Sequence, residues 1–100
     1  MEFYCGDAET VAAALWDAGR RFDFVMEDAA YADLERSRPV VDSVVPLVAE
    51  DGTLVVNRHG RDDAGALARM LRRRFETVRT QRVRREGENV LIYASRPRIA

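Results

Sequence analysis

The stretch Val45-Pro46-Leu47-Val48-Ala49-Glu50-Asp51-Gly52-Thr53-Leu54-Val55-Val56 changes its period in the middle. Up to it, residues 33–49 are helical in period, with Val41, Val44, Val45 and Val48 on one face and Pro39 suited to the first turn. Pro46 has no amide to donate and crowds the carbonyl of Asp42, so the helix ends or kinks there. Asp51-Gly52 is a turn signal, and Thr53-Leu54-Val55-Val56-Asn57 is short, β-branched and mostly apolar, as a strand is. A helix that feeds a strand through a turn points to an α/β fold.

The flanks continue the alternation. Upstream, Phe22-Asp23-Phe24-Val25-Met26 reads as a strand entering the polar Glu27-Asp28. Before it, Asp7 is a good N-cap for a helix from Ala8 to about Ala18, with Glu9 in the first turn and Gly19 as its stop. Val11, Ala14, Leu15 and Ala18 form the expected inner face of that helix, and Glu2-Phe3-Tyr4-Cys5 a short strand ahead of it. Downstream, Asp62 or Asp63 caps a helix to Phe75 with Ala64, Leu67, Ala68, Leu71 and Phe75 as its apolar stripe, while Arg69, Arg72 and Arg73 face away. Two strands follow, Thr77 to Arg84 and Asn89 to Ala94, joined by the turn Arg85-Glu86-Gly87-Glu88. The order predicts one domain over residues 1–100: a three-layer α/β sandwich around a mostly parallel sheet, closed by an antiparallel C-terminal hairpin.

Composition narrows the classes. The 100 residues are 47% hydrophobic and 33% charged, which suits a single globular domain rather than a disordered tail. No apolar run approaches the roughly 20 residues of a membrane span. The start, Met-Glu-Phe-Tyr-Cys-Gly-Asp, lacks the basic and apolar regions of a signal peptide, so the expected location is cytoplasmic. Cys5 has no second cysteine to pair with, and with a single histidine no Cys/His metal cluster is expected. Cys5 reads as a core residue and His59 as a loop histidine. Residues 1–50 hold 4 Arg against 11 Asp or Glu, whereas residues 51–100 hold 12 Arg against 6. A basic half can attract a polyanion such as RNA. All 16 cations are arginine, which the codon bias of a GC-rich genome accounts for.

Four segments carry a resemblance: Gly6-Asp7-Ala8 after a strand, Phe22 through Asp28-Ala29-Ala30-Tyr31, the Val45 to Val56 stretch, and the hairpin Arg84 to Tyr93. Together they resemble the second half of a class I S-adenosylmethionine-dependent methyltransferase. Within that superfamily the chain is most similar to the RsmD group, which methylates the exocyclic amine of a guanine in small-subunit ribosomal RNA. The resemblance implies that Asp28 and the carbonyl of Ala29 orient the target amine and that Tyr31 stacks on the base. It also implies that Asp7 and Ala8 meet the adenine of S-adenosylmethionine. Each has a plainer reading: Asp7 as a helix cap, Asp28 as a turn residue, Tyr31 as a cover for the end of the core. Arg79, Arg82, Arg84 and Arg85 near the hairpin turn are the candidates for RNA phosphate contacts, with Arg72, Arg73 and Arg74 read as a solvated helix face.

The chain departs from the family in two places. Ala29-Ala30 stand where the family has two prolines, whose restricted dihedrals aim the loop carbonyl. The glycines at 6, 19, 52, 60, 65 and 87 form no G-x-G turn of the kind that grips the cofactor's methionine portion. The family's sheet order is 3-2-1-4-5-7-6, and this chain begins where the third strand would. The expectation is that it dimerises, pairs with a complementary chain, or closes its sheet in a new order. The rival functional reading is a noncatalytic methyltransferase-fold module that binds another protein through its sheet edge.

Overall fold

The computed structural model describes residues 7–28, 34–59, 61–84 and 88–98. The expected strand at Glu2 to Cys5 and the turn at 85–87 lie outside the described residues. The elements run in the order α1 (Ala8–Asp17), β1 (Phe22–Glu27), α2 (Leu34–Val44), a 3-10 turn (Val45–Leu47), β2 (Val48–His59), α3 (Arg61–Arg72), β3 (Phe75–Arg84) and β4 (Glu88–Pro97). No helix among the described residues is long and apolar enough to cross a membrane.

The four strands form one sheet in the order β1-β2-β4-β3. β1 and β2 are parallel, whereas β4 runs antiparallel to both β2 and β3. The sheet is therefore mixed rather than mostly parallel, because the last strand returns between β2 and β3. That order is the one the resemblance implies for the final four strands, 4-5-7-6.

Register sorts the strands into two faces. Leu54 and Val56 of β2 pair with Ala94 and Ile92 of β4, and all four sit in one core with Val41 and Val45 below and Leu67, Ala68, Leu71 and Phe75 beside them. Helices α2 and α3 thus cover the same face, and α1 packs on α2. The opposite face carries Phe24 and Met26, 61% and 51% exposed, and no described helix. The expected three layers are, among the described residues, two. Alternation of helix and strand does not say which face each helix takes, and here all three take one.

Local chemistry explains most boundaries. Asp7 caps α1 by accepting from the Thr10 amide, and Gly19 follows the helix at a φ of 75°, the left-handed conformation that costs glycine least. The inner strip of α1 is narrower than expected: Ala12 is buried, Val11 and Leu15 half-buried, and Ala14 and Ala18 exposed. Its main described neighbours are α2 and the 3-10 turn, so little of it is covered. Pro39 falls in the interior of α2 rather than in its first turn, since the helix already begins at Leu34. Pro46 does what its chemistry requires: α2 stops at Val44 and a 3-10 turn takes its place, after which Val48 opens β2.

Three further boundaries differ from expectation. Asp62 and Asp63 lie inside α3, not before it, and Phe75 begins β3 instead of ending the helix. The stripe Ala64, Leu67, Ala68 and Leu71 is buried as read, and Phe75 joins it from the sheet. Asp51-Gly52 makes no separate turn. Phe22 pairs with Val48 and Phe24 with Thr53, so Ala49, Glu50, Asp51 and Gly52 bulge opposite the single residue Asp23. Gly52 is needed there for close approach: a Cβ would meet the carbonyl oxygens of Phe22, Ala49 and Asp23 at 2.9, 3.0 and 3.0 Å.

Candidate functional site

The carboxyl ends of the parallel pair, Glu27-Asp28 after β1 and Asn57-Arg58-His59 at the end of β2, lie side by side. Successive strand residues point to opposite faces, so each end supplies one residue to the helix side and one to the open side. On the open side, Asn57 Nδ2 donates to Asp28 Oδ1 at 2.8 Å. On the helix side, Arg58 lies 2.5 Å from Glu27 Oε2, a contact with the geometry of an ion pair rather than of an aligned hydrogen bond.

Arg58 is held from several directions. Its Nε and one terminal nitrogen both donate to Ser37 Oγ, at 2.8 and 2.6 Å, and the other donates to the Asn57 carbonyl at 2.7 Å. Ser37 comes from α2 and is buried, as are Glu27 and Arg58. A buried arginine is tolerated only when charge and hydrogen-bond partners replace its water. The network therefore ties α2, β1 and β2 together directly beneath Asp28.

Sequence reading passed over this triad. The signal was present in the alternation of β2, where Leu54, Val56 and Arg58 share one face, and in Glu27 at the same level on the neighbouring strand. Opposite charges that end two adjacent strands on their core face are placed to neutralise each other.

The other expected site residues are placed as follows. Asp28 is exposed at the carboxyl end of β1, and Ala29 and Tyr31 lie outside the described residues. Asp7 and Ala8 form the N-cap and first residue of α1, with Asp7 Oδ2 accepting from both the amide and the hydroxyl of Thr10 at 3.3 Å. Arg79 lies over the Tyr93 ring at 5.7 Å on the open face, where Tyr93 also donates its hydroxyl to Gln81 Oε1 at 3.2 Å. Arg82, three residues on, points to the opposite face, so these two arginines do not make one patch. Arg84 ends β3 with its side chain outside the described residues, as is that of His59, and Arg85 lies outside them altogether. Among the described residues no cluster of three His, Cys, Asp or Glu side chains is placed to hold a metal ion.

Within the described residues the fit to S-adenosylmethionine is incomplete. Asp7 already uses one carboxylate oxygen in its own helix cap. The close-approach glycine, Gly52, is filled by backbone carbonyls of this chain rather than open to a ligand.

No family model matches the sequence, and no curated protein matches it. Solved structures do match the fold. M1.HpyAVI superposes with a TM-score of 0.69 at 16% identity, covering 92% of this chain and 53% of that one. Human methyltransferase-like protein 13, solved with S-adenosylhomocysteine, gives 0.69 at 20% identity over 95% and 49%. A Plasmodium falciparum protein described as a ribosomal RNA methyltransferase gives 0.62 at 15% identity over 93% and 57%. A second structure of M1.HpyAVI is a complex with S-adenosylmethionine. The chain thus spans about half the length of the solved proteins it is similar to, and over that stretch its fold is similar to theirs.

Proposed function

We propose that this chain is the substrate-side portion of an S-adenosylmethionine-dependent methyltransferase acting on an exocyclic amine of a nucleobase. A guanine of small-subunit ribosomal RNA is the substrate that Asp28-Ala29-Ala30-Tyr31 implies by resemblance. The observation that carries the proposal is the position of Asp28. Ligands of open α/β sheets bind beyond the carboxyl ends of the strands, and Asp28 stands there, steadied by Asn57 at 2.8 Å.

In this reading Asp28 accepts a hydrogen bond from the target amine and turns its nitrogen toward the methyl donor. Alignment of this kind is the main requirement for transfer to a weakly basic amine, so no dedicated base is demanded. Tyr31 stacks on the base, and the carbonyl of Ala29 takes a second amine hydrogen. The cofactor supplies the methyl group, and its grip comes in large part from a complementary chain or segment beyond the described residues.

Calorimetric titration of the chain with S-adenosylmethionine, followed by label transfer from that cofactor to small-subunit rRNA, tests the proposal. Support is micromolar binding and transfer that disappears in Asp28→Ala. Binding without transfer refutes the RNA substrate, and absence of both refutes an autonomous enzyme.

A further inference from the structure

Helix α3 turns Ala64, Leu67, Ala68 and Leu71 to the core and ends in arginines on its outer side. Arg69 and Arg72 are neighbours across one turn, and Arg73 continues that turn, its amide donating to the Met70 carbonyl at 3.2 Å. All three are exposed. The C-terminal segment brings a fourth cation to the same place. The Arg98 amide donates to the Arg74 carbonyl at 2.7 Å and Arg98 Nε to the Arg72 carbonyl at 3.2 Å, which fastens this residue beside the end of α3.

Among the described residues no carboxylate lies within ion-pair distance of Arg69, Arg72, Arg73 or Arg98. Asp42 is taken by Arg74 at 2.5 Å, and Glu50, Asp51 and Glu76 line a groove that Arg98 borders together with Arg96. Like charges three and four residues apart on a helix repel, and the negative end of the helix dipole offsets part of that. A bound polyanion removes the rest. Gly65, one turn before Arg69, leaves room for one. Apart from its own helix backbone, a Cβ there would meet only a terminal nitrogen of Arg69, at 3.7 Å. Packing does not demand a glycine at this position and a mid-helix glycine costs stability, so the bare backbone admits a close approach from outside.

We propose that Arg69, Arg72, Arg73 and Arg98 bind phosphate groups of the RNA substrate's backbone. The inference rests on the proposed function for the identity of the polyanion and adds a contact surface remote from Asp28. A guanidinium is always charged, and its planar fork meets two phosphate oxygens at once. Residues 61–73 contain no aromatic, so this side of α3 offers bases no stacking platform; its contacts position a strand without reading its sequence. β2 and β3 both run antiparallel to β4, so α3 returns from the carboxyl end of β2 to the start of β3. Its 12 residues span about 18 Å, with Asp62 and Asp63 in the first turn and the arginines at the far end. The surface therefore holds RNA outside the nucleotide that reacts.

Fluorescence anisotropy of a labelled oligouridylate, titrated with the full chain at several salt concentrations, tests the proposal, with circular dichroism to confirm that each variant folds. The parent should bind at low salt, and its log affinity should fall against log salt with a slope between about −2 and −3, as three or four neutralised phosphates of a single strand require. Arg69→Gln, Arg72→Gln and Arg73→Gln together should take about 2 off that steepness and weaken low-salt binding about tenfold or more. Lysine at the same three positions should preserve the slope. The Arg72 carbonyl, which holds Arg98, is present in both variants. Absence of binding at low salt overturns the proposal, as does sedimentation with phosphatidylserine vesicles by a chain that ignores the RNA. Unaltered affinity and slope in the glutamine variant overturn it too and give the RNA to other arginines. Anisotropy needs neither cofactor nor transfer, so the two readings fail separately. RNA held through these arginines without transfer defeats the proposed activity alone, and transfer at unchanged KM by the glutamine variant defeats this contact alone.

Discussion

Arg58 and Glu27 leave adjacent parallel strands toward the same face and meet there at 2.5 Å, each side chain only 6% exposed. Removing one member of such a pair strands the other charge in a poorly solvated site, whereas replacing both by apolar groups need not. Glu27→Ala and Arg58→Ala should each cost about 3–5 kcal/mol. The double replacement Glu27→Leu with Arg58→Met should recover most of that loss. Urea denaturation of the four proteins checks the pattern, and equal losses in the double and single variants would contradict it.

Asp7 is both a helix cap and a candidate contact for the cofactor's adenine. Serine keeps the cap but removes the carboxylate. Asp7→Ser should leave the melting temperature within a degree or two of the parent, while Asp7→Ala loses about 1 kcal/mol of stability. If Asp7 also serves the cofactor, both variants weaken S-adenosylmethionine binding in calorimetry. A capping role alone leaves the affinity of Asp7→Ser unchanged.

Asn57 holds Asp28 on the exposed face, where a single hydrogen bond contributes about 0.5–1.5 kcal/mol. Asn57→Ala should therefore cost no more than about 1.5 kcal/mol of stability. Under the proposed function it should lower methyl transfer by at least as much as it lowers stability, because the carboxylate loses its fixed orientation. Parallel measurement of denaturation midpoint and label transfer separates the two effects.

Gly52 faces three carbonyl oxygens of the backbone, none of which ends a flexible side chain. Gly52→Ala should be destabilising by about 1–3 kcal/mol through the strain of overpacking. The thermal midpoint reads this directly, and an unchanged midpoint would show that the bulge relaxes freely.

Much of the fold could be read from the residues because their period is strong. The stripe of α3 and the apolar strand at 53–57 are cases where burial follows spacing alone. Phe75 escaped because its distance from Leu71 continues the helical period, while the chain turns at Arg73-Arg74 and presents the ring to the same core from the sheet. The layer count escaped for a different reason. Period reveals that a helix has an inner face but not which side of the sheet it lies on. At the site, Asp28 was legible because a polar residue closing an apolar strand is conspicuous. Arg58 was not, since one arginine among many looks solvated until a glutamate and a serine from two other elements are seen to meet it.

The bulge between β1 and β2 makes the two ends of β1 unequal. From Phe24 to Glu27 the ladder against Thr53 to Val56 is unbroken, while upstream only Phe22 pairs, with Val48, across the gap. Cooperative units open first where pairing is sparse. Peeling of β1 from the sheet therefore starts at the Phe22 end and travels toward Glu27, so the end that bears Asp28 is the last to let go. The bulge gives this strand a direction of fraying, and the seat of the proposed chemistry lies at its anchored end.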